Sequence, residues 1–245
     1  MARMVMEEIK PFNFKQFSVA QDKVIMKVGT DGVLLGAWTD VTDCATILDV
    51  GTGSGLIALQ LAQRLEGRAE IHGIDIDPAA CEQARENFEA SPWRASMTVL
   101  QESIQDYSGR ESKKYELIVS NPPFFTGGLL SLNRDKNDAR HTVKLPHGDL
   151  LRAVSRLLKP EGRLGLILPY LQGLRFIEIS ESYSLFPLRI TEVRTREDKP
   201  LERMLIEFTY DKMVTPAVNT LVIHKGENEY TEEYKELTRA FYLNF

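Results

Sequence analysis

Cysteine is scarce in this sequence: there are two, Cys44 and Cys81, both within stretches that read as ordinary α/β structure. So few, so placed, argue against a disulfide framework and for a reducing cytoplasm. Metal-ligand spacing is missing as well. His72, His141, His147 and His224 stand apart from one another and from the cysteines, so no metal site is expected. No apolar run approaches the ~20 residues of a membrane span, and the amino-terminal stretch lacks a signal-peptide apolar core. An excess of positive charge is absent too, since 30 Lys and Arg against 35 Asp and Glu leave a net charge of −5. That balance argues against coating nucleic acid along the whole surface, but it leaves room for a local basic face.

What is present suits one α/β domain over residues 1–245, with 43% hydrophobic and 27% charged residues and ample length for a core. From Thr46 onward, short apolar strands alternate with helical patterns. Ile47–Val50, Ile71–Ile74, Thr98–Leu100, Leu117–Val119 and Leu164–Leu168 read as strands. Between the first two, Ile57, Leu61, Ala62 and Leu65 fall at helical spacing and Gly67 can end that helix. Asp77-Pro78 reads as an N-cap followed by proline at the first helical position. Asp149–Leu158 is amphipathic, and Lys159-Pro160-Glu161-Gly162 reads as a turn. Such alternation predicts a doubly wound, mostly parallel sheet, seven-stranded and Rossmann-like. Leu188–Val193 and Met204–Tyr210 have no helix between them, which predicts an antiparallel terminal hairpin at one sheet edge. Residues 1–45 then form a segment preceding the 46–245 core.

Asp49-Val50-Gly51-Thr52-Gly53-Ser54-Gly55 follows the first of these strands and opens a helix. Glycines there let the backbone turn tightly and approach a ligand. A dinucleotide site wants its third glycine at position 56, where this chain has leucine. Asp75, the first acid after the next strand, is placed to accept both hydroxyls of a ribose. Asp49 would repel a pyrophosphate but tolerate a cationic or zwitterionic nucleoside. S-adenosylmethionine, with its sulfonium, ammonium and ribose, fits this pattern better than NAD.

A second motif, Asn121-Pro122-Pro123-Phe124, closes the strand Tyr115–Val119. The prolines remove two backbone donors and hold the chain extended. Taken alone, it could be a strand-ending turn with a buried ring pair. At the carboxyl edge of a parallel sheet, beside a glycine loop, it reads as a platform. The Asn121 side-chain oxygen and the Pro122 carbonyl could hold both hydrogens of an aromatic amine, with Phe124 stacked on the base. Rate would come from positioning and electrostatics, with no general base needed before methyl transfer.

Asp49–Gly55 followed by Asn121–Phe124 resembles the class I S-adenosylmethionine-dependent methyltransferases that act on planar nitrogens. More narrowly, Phe14–Phe17, Met26–Gly32 and Leu34–Trp38 resemble the bacterial tRNA(Val) adenine-37 N6-methyltransferases. That likeness continues through Gln83–Trp93 to Tyr230–Tyr234 and Ala240–Leu243. The resemblance implies a cofactor set of Lys27, Thr30, Asp31, Asp49, Gly51, Gly53, Gly55, Asp75, Ile76, Glu102, Ser103 and Asn121. Within it, Glu102 would face the adenine amine, and Lys27–Asp31 would close over the cofactor. Asn121, Pro122 and Phe124 would be catalytic. The implied partner is tRNA, through its anticodon stem-loop, without a membrane or a stable protein partner. A guanine N2 in rRNA, a glutamine amide of a protein, or an inactive RNA-binding role remain alternatives.

An anticodon loop presents its bases already partly unpaired. Eight Lys and Arg against four acids between Arg134 and Arg163 offer a phosphate-contacting rim directly after the platform, with Arg140 and Lys144 the leading candidates. Arg194, Arg196 and Lys199 form a second one. Charge reversal to Glu in these stretches should weaken RNA binding at low salt and leave cofactor affinity intact; filter binding and calorimetry measure the two.

Overall fold

A computed structural model describes residues 9–122, 145–227 and 229–245. The parallel strands form where the sequence is continuously apolar, as expected of strands covered on both faces. These are β3 (Thr46–Val50), β4 (Glu70–Asp75), β5 (Met97–Gln101), β6 (Tyr115–Ser120) and the long β7 (Leu158–Pro169), which follow the short β1 (Phe12–Asn13) and β2 (Ser18–Val19). Successive residues feed opposite cores. Ile47, Leu117 and Val119 face one cluster, whereas Leu48, Val50 and Ile118 face the other.

The helices divide accordingly. α1 (Thr30–Trp38), α2 (Leu56–Arg64) and α3 (Pro78–Glu89) cover the first face. α4 (Ile104–Arg110), α5 (His147–Leu157) and α6 (Tyr170–Ser180) cover the second. The expected cap is present, because the Asp77 carboxylate accepts the Ala79 amide at 3.0 Å with Pro78 next in line. After α2 the chain reverses through left-handed Glu66 and Gly67, at φ 52° and 70°.

β8 (Phe186–Arg196) and β9 (Arg203–Thr209) form the expected hairpin, followed by β10 (Ala217–Gly226), β11 (Glu229–Tyr230) and α7 (Glu232–Thr238). The doubly wound, mostly parallel architecture holds, but the sheet is wider than seven strands. Its order is β11-β10-β8-β9-β7-β6-β3-β4-β5. The hairpin is therefore not the edge: β9 inserts antiparallel between β7 and β8, and β10 adds parallel to β8. The sequence gives little sign of β10 because its first four residues are exposed and only Leu221 and Ile223 bury. Lys159–Gly162 is a bulge within β7 rather than a turn before it. Tyr115 pairs with Leu158, yet Leu117 pairs with Arg163.

The parallel strands end at one edge, as do β8 and β10, and the β8–β9 loop lies there too. Asn87 on α3 ties the amino-terminal segment to that edge. Its amide donates to the carbonyls of Ala20 (2.9 Å) and Ser54 (2.8 Å) and accepts from the Ala20 amide (2.9 Å). Asn87→Ala strands buried partners, so it should cost about 2 kcal/mol and speed hydrogen exchange at the Ala20 amide ahead of the sheet.

Candidate active site

β3 ends at Val50, and the chain turns through Gly51 (φ 72°) and Gly53 (φ 55°). A Cβ at either would meet nothing within 4 Å. The left-handed backbone demands glycine there, and the space above the loop stays open. The Gly51 and Thr52 amides donate to the Ile74 carbonyl at 2.9 and 3.0 Å, pinning the loop to β4. The Gly53 amide donates to the Asp75 carboxylate at 3.0 Å, and the Asp77 amide takes its other oxygen at 3.0 Å. Asp75 is thereby held rigid while keeping unused lone pairs. Exposed Ile76 and the Glu102 amide, which donates to the Asp75 carbonyl at 2.9 Å, complete that corner.

Asp49 lies beneath the loop, fully buried, with the Thr52 hydroxyl at 2.8 Å on one oxygen and no hydrogen-bond partner on the other among the described residues. Burial pushes its pKa up to about 7, nearby Asp75 adds to the rise, and the Thr52 hydrogen bond partly offsets it.

On the neighbouring strand the Ser120 hydroxyl donates to the Val50 carbonyl at 2.7 Å. That bond fixes Asn121 beside the glycine loop. Among the described residues the Asn121 side-chain oxygen is buried without a hydrogen-bond partner, a costly arrangement for an acceptor unless another donor supplies the missing bond. Pro122, next in line, is buried.

A cavity of about 470 Å³ opens between these elements and α1. It brings together Lys27, Thr30, Asp31, Gly51, Gly53 and Asn121, which the sequence placed in one site. Asp49, Gly55, Asp75, Ile76, Glu102 and Ser103 are not on its wall. Asp75, Ile76 and Glu102 form the adjoining corner. Gly55 packs inward, where an added Cβ would sit 2.5 Å from the Phe88 ring. Ser103 caps α4 through the Asp106 amide at 3.0 Å. The Glu102 carboxylate is taken up by a two-pronged ion pair with the Arg110 guanidinium. The Lys27 ammonium turns onto the carbonyls of Gln21 and Val24, at 2.5 and 2.9 Å. Phe124, Arg140 and Lys144 lie outside the described residues. Arg194 donates to the Glu197 carbonyl at 3.2 Å, and Arg196 pairs with Asp198 at 3.2 Å.

Sequence reasoning missed the far wall of the cavity, which includes Thr195, Glu202, Arg203, His224, Tyr230 and Tyr234. Arg203 reaches across to Asp31 at 2.8 Å, a contact spanning most of the chain. The rings of His224 and Tyr230 stack at 4.6 Å, and those of Tyr230 and Tyr234 at 5.0 Å. The four-residue spacing of Tyr230 and Tyr234 was the available signal, and it brings the end of β11 against α7. Among the described residues no group of acids, histidines and cysteines could hold a metal.

A family model described as the methyltransferase small domain matches residues 32–177. A tRNA1(Val) (adenine(37)-N6)-methyltransferase of Actinobacillus succinogenes is 43% identical over 234 residues, 96% of this chain and 98% of that protein. A protein of the same name from Parabacteroides distasonis is 46% identical over 232 residues, 95% of this chain and 97% of that one. The chain belongs to this methyltransferase family. A solved structure titled as a predicted O-methyltransferase from Agrobacterium tumefaciens shares the fold, with a TM-score of 0.66 at 21% identity, covering 86% of this chain and 96% of that one.

The methyltransferase small domain contributes the glycine loop and Asn121, whereas Met26–Asp31 and the far wall from Val193 to Tyr234 lie outside the matched residues. The site thus has a shared half and a half added around it. The raised pKa of Asp49 has a consequence for stability. Its native pKa lies above the unfolded value, so ionising it in place costs stability, and that cost grows as pH rises from about 4 to about 7. Asp49→Asn should match the parent at pH 4 and exceed it at pH 8 by up to about 4 kcal/mol. Urea midpoints across that range measure the difference.

Proposed function

We propose that this chain transfers the methyl group of S-adenosylmethionine to N6 of adenine 37 in the anticodon loop of tRNA(Val), the activity its relatives' names carry. The unpartnered Asn121 oxygen, in one cavity with the glycine loop, is the observation that supports this most.

The residues fit the cofactor. The open space above Gly51 and Gly53 admits close approach, and the held Asp75 carboxylate keeps lone pairs for a ribose. The Asp75 carboxylate suits a cation, and a cation above the loop would favour the ionised form of Asp49. Ile76 offers an apolar surface to an adenine ring, and Glu102 stands beside it. When bound, the cofactor supplies an electrophilic methyl group on a positively charged sulfur.

The chain's own residues then act on the acceptor. Asn121 and the Pro122 carbonyl accept the two hydrogens of the adenine amine. Held this way, the nitrogen loses conjugation with its ring, and its lone pair becomes available in a fixed direction. Phe124 is the candidate ring to stack on the base. Arg194 and Arg196 on β8, with Lys199 in the loop after it, lie at the same sheet edge as the cavity and are candidates for the RNA backbone. A tRNA substrate would place the protein in the cytoplasm, and no described helix is long and apolar enough to cross a membrane.

Mass spectrometry of nucleosides from tRNA incubated with protein and cofactor should show one new N6-methyladenosine; label confined to protein or to guanosine would refute the reading. Asn121→Ala should lower turnover roughly 100-fold or more, with cofactor affinity unchanged by calorimetry.

A further inference from the structure

Residues 20–28 run along α3 and end at the cavity mouth. Polar groups at the surface pin the segment in place. The Lys23 ammonium binds Glu82 and Glu86 at 2.5 and 2.6 Å, and its amide donates to the Gln83 side chain at 2.8 Å. Lys27 closes onto the carbonyls of Gln21 and Val24, and the Val28 amide donates to the Gln21 side chain at 2.9 Å. Val24 is buried as an apolar anchor. Beside exposed Asp22 and Lys27, two apolar side chains also project outward: Ile25, 80% exposed, and Met26, 61% exposed. Single exposed apolar side chains are commonplace. Here two adjacent ones stand on a segment anchored at both ends, and Met26 also lines the cavity that contains Asn121.

We infer that Ile25 and Met26 form an apolar wedge that packs against the bases flanking the target once it has left its stack. The inference rests on the RNA reading above and adds to it the group that holds the loop open. With Met26 on the cavity wall, a base held at Asn121 lies in the same cavity as the strap, and its departure from the stack leaves a gap that exposes flat apolar faces. Apolar wedges of this kind, Ile and Met among them, are how proteins hold nucleic acid unstacked. Ile25 is stiff at its branched carbon, and Met26 can shape itself to a ring. Two side chains match the area of a base, whereas a stable protein interface needs about 800 Å² from each partner. The network through Gln83, Asn87 and Lys23 keeps the wedge in place before RNA arrives, so its position is built in. Ile25 and Met26 are positioning residues, since the reacting atoms lie beyond them.

The test compares the parent protein with Ile25→Ser/Met26→Ser and with Ile25→Leu/Met26→Leu on an anticodon stem-loop. The serine variant should lose roughly tenfold to a hundredfold in kcat, with cofactor affinity and thermal midpoint unchanged, and the leucine variant should recover most of the rate. With 2-aminopurine at the target position, the fluorescence rise on binding should vanish in the serine variant and return with leucine. If the parent leaves tRNA unmethylated, the RNA reading fails and the wedge with it. If the parent methylates tRNA and the serine variant matches it in rate and fluorescence, only the wedge is overturned. A variant whose sole change is in self-association would assign the pair to contact between copies and overturn it equally.

Discussion

Everything in the site hangs on the register of two neighbouring parallel strands. Val50 of β3 and Ser120 of β6 lie opposite each other, and the Ser120 hydroxyl closes onto the Val50 carbonyl. One residue beyond each stand Gly51 and Asn121, so the glycine loop and the amide proposed to act on the acceptor meet by construction. A slip of one residue would turn every β6 side chain to the wrong face, driving Leu117 and Val119 out of their core. The two hydrophobic clusters enforce the register that the chemistry needs. Stability and function depend here on the same packing.

The carboxylates show how a fold spends stability near a site. Asp49 is buried with one oxygen unsatisfied, close to Asp75, so its ionised form is costly until a positive charge comes near. Asp75 is treated in the opposite manner, because two backbone amides hold its carboxylate in place. One carboxylate is oriented in advance and the other is kept short of partners. Glu116, away from the site, is paired off: burial works to raise its pKa, but Lys159 and Thr46 hold it at about 2.

Around the shared methyltransferase core, the chain has added material on one side of the cavity. Met26–Asp31 and the wall from Val193 to Tyr234 line the cavity outside the residues matched to the small domain, and the Arg203–Asp31 ion pair joins these two parts. Fold alone would not separate one acceptor from another.

The alternation of short apolar runs and helical patterns, the Asp77-Pro78 cap, the glycine loop and Asn121 were all legible in the sequence. Each is a local device: periodicity, capping and left-handed turns act over a few residues, and they write themselves into neighbouring positions. The insertion of β9 between β7 and β8, the addition of β10 and β11, and the far wall with Arg203 and Tyr230 were not. β10 carries too few buried side chains to show an alternation, and its place is decided by β8 offering a free edge. Ion pairs such as Asp31 with Arg203 join residues far apart in the chain, and no local pattern encodes them. What the sequence determined alone was the set of parts and the class of chemistry. Which parts face one another across the cavity was decided by tertiary packing, because proximity between distant segments arises only when sheet order and core burial are satisfied together.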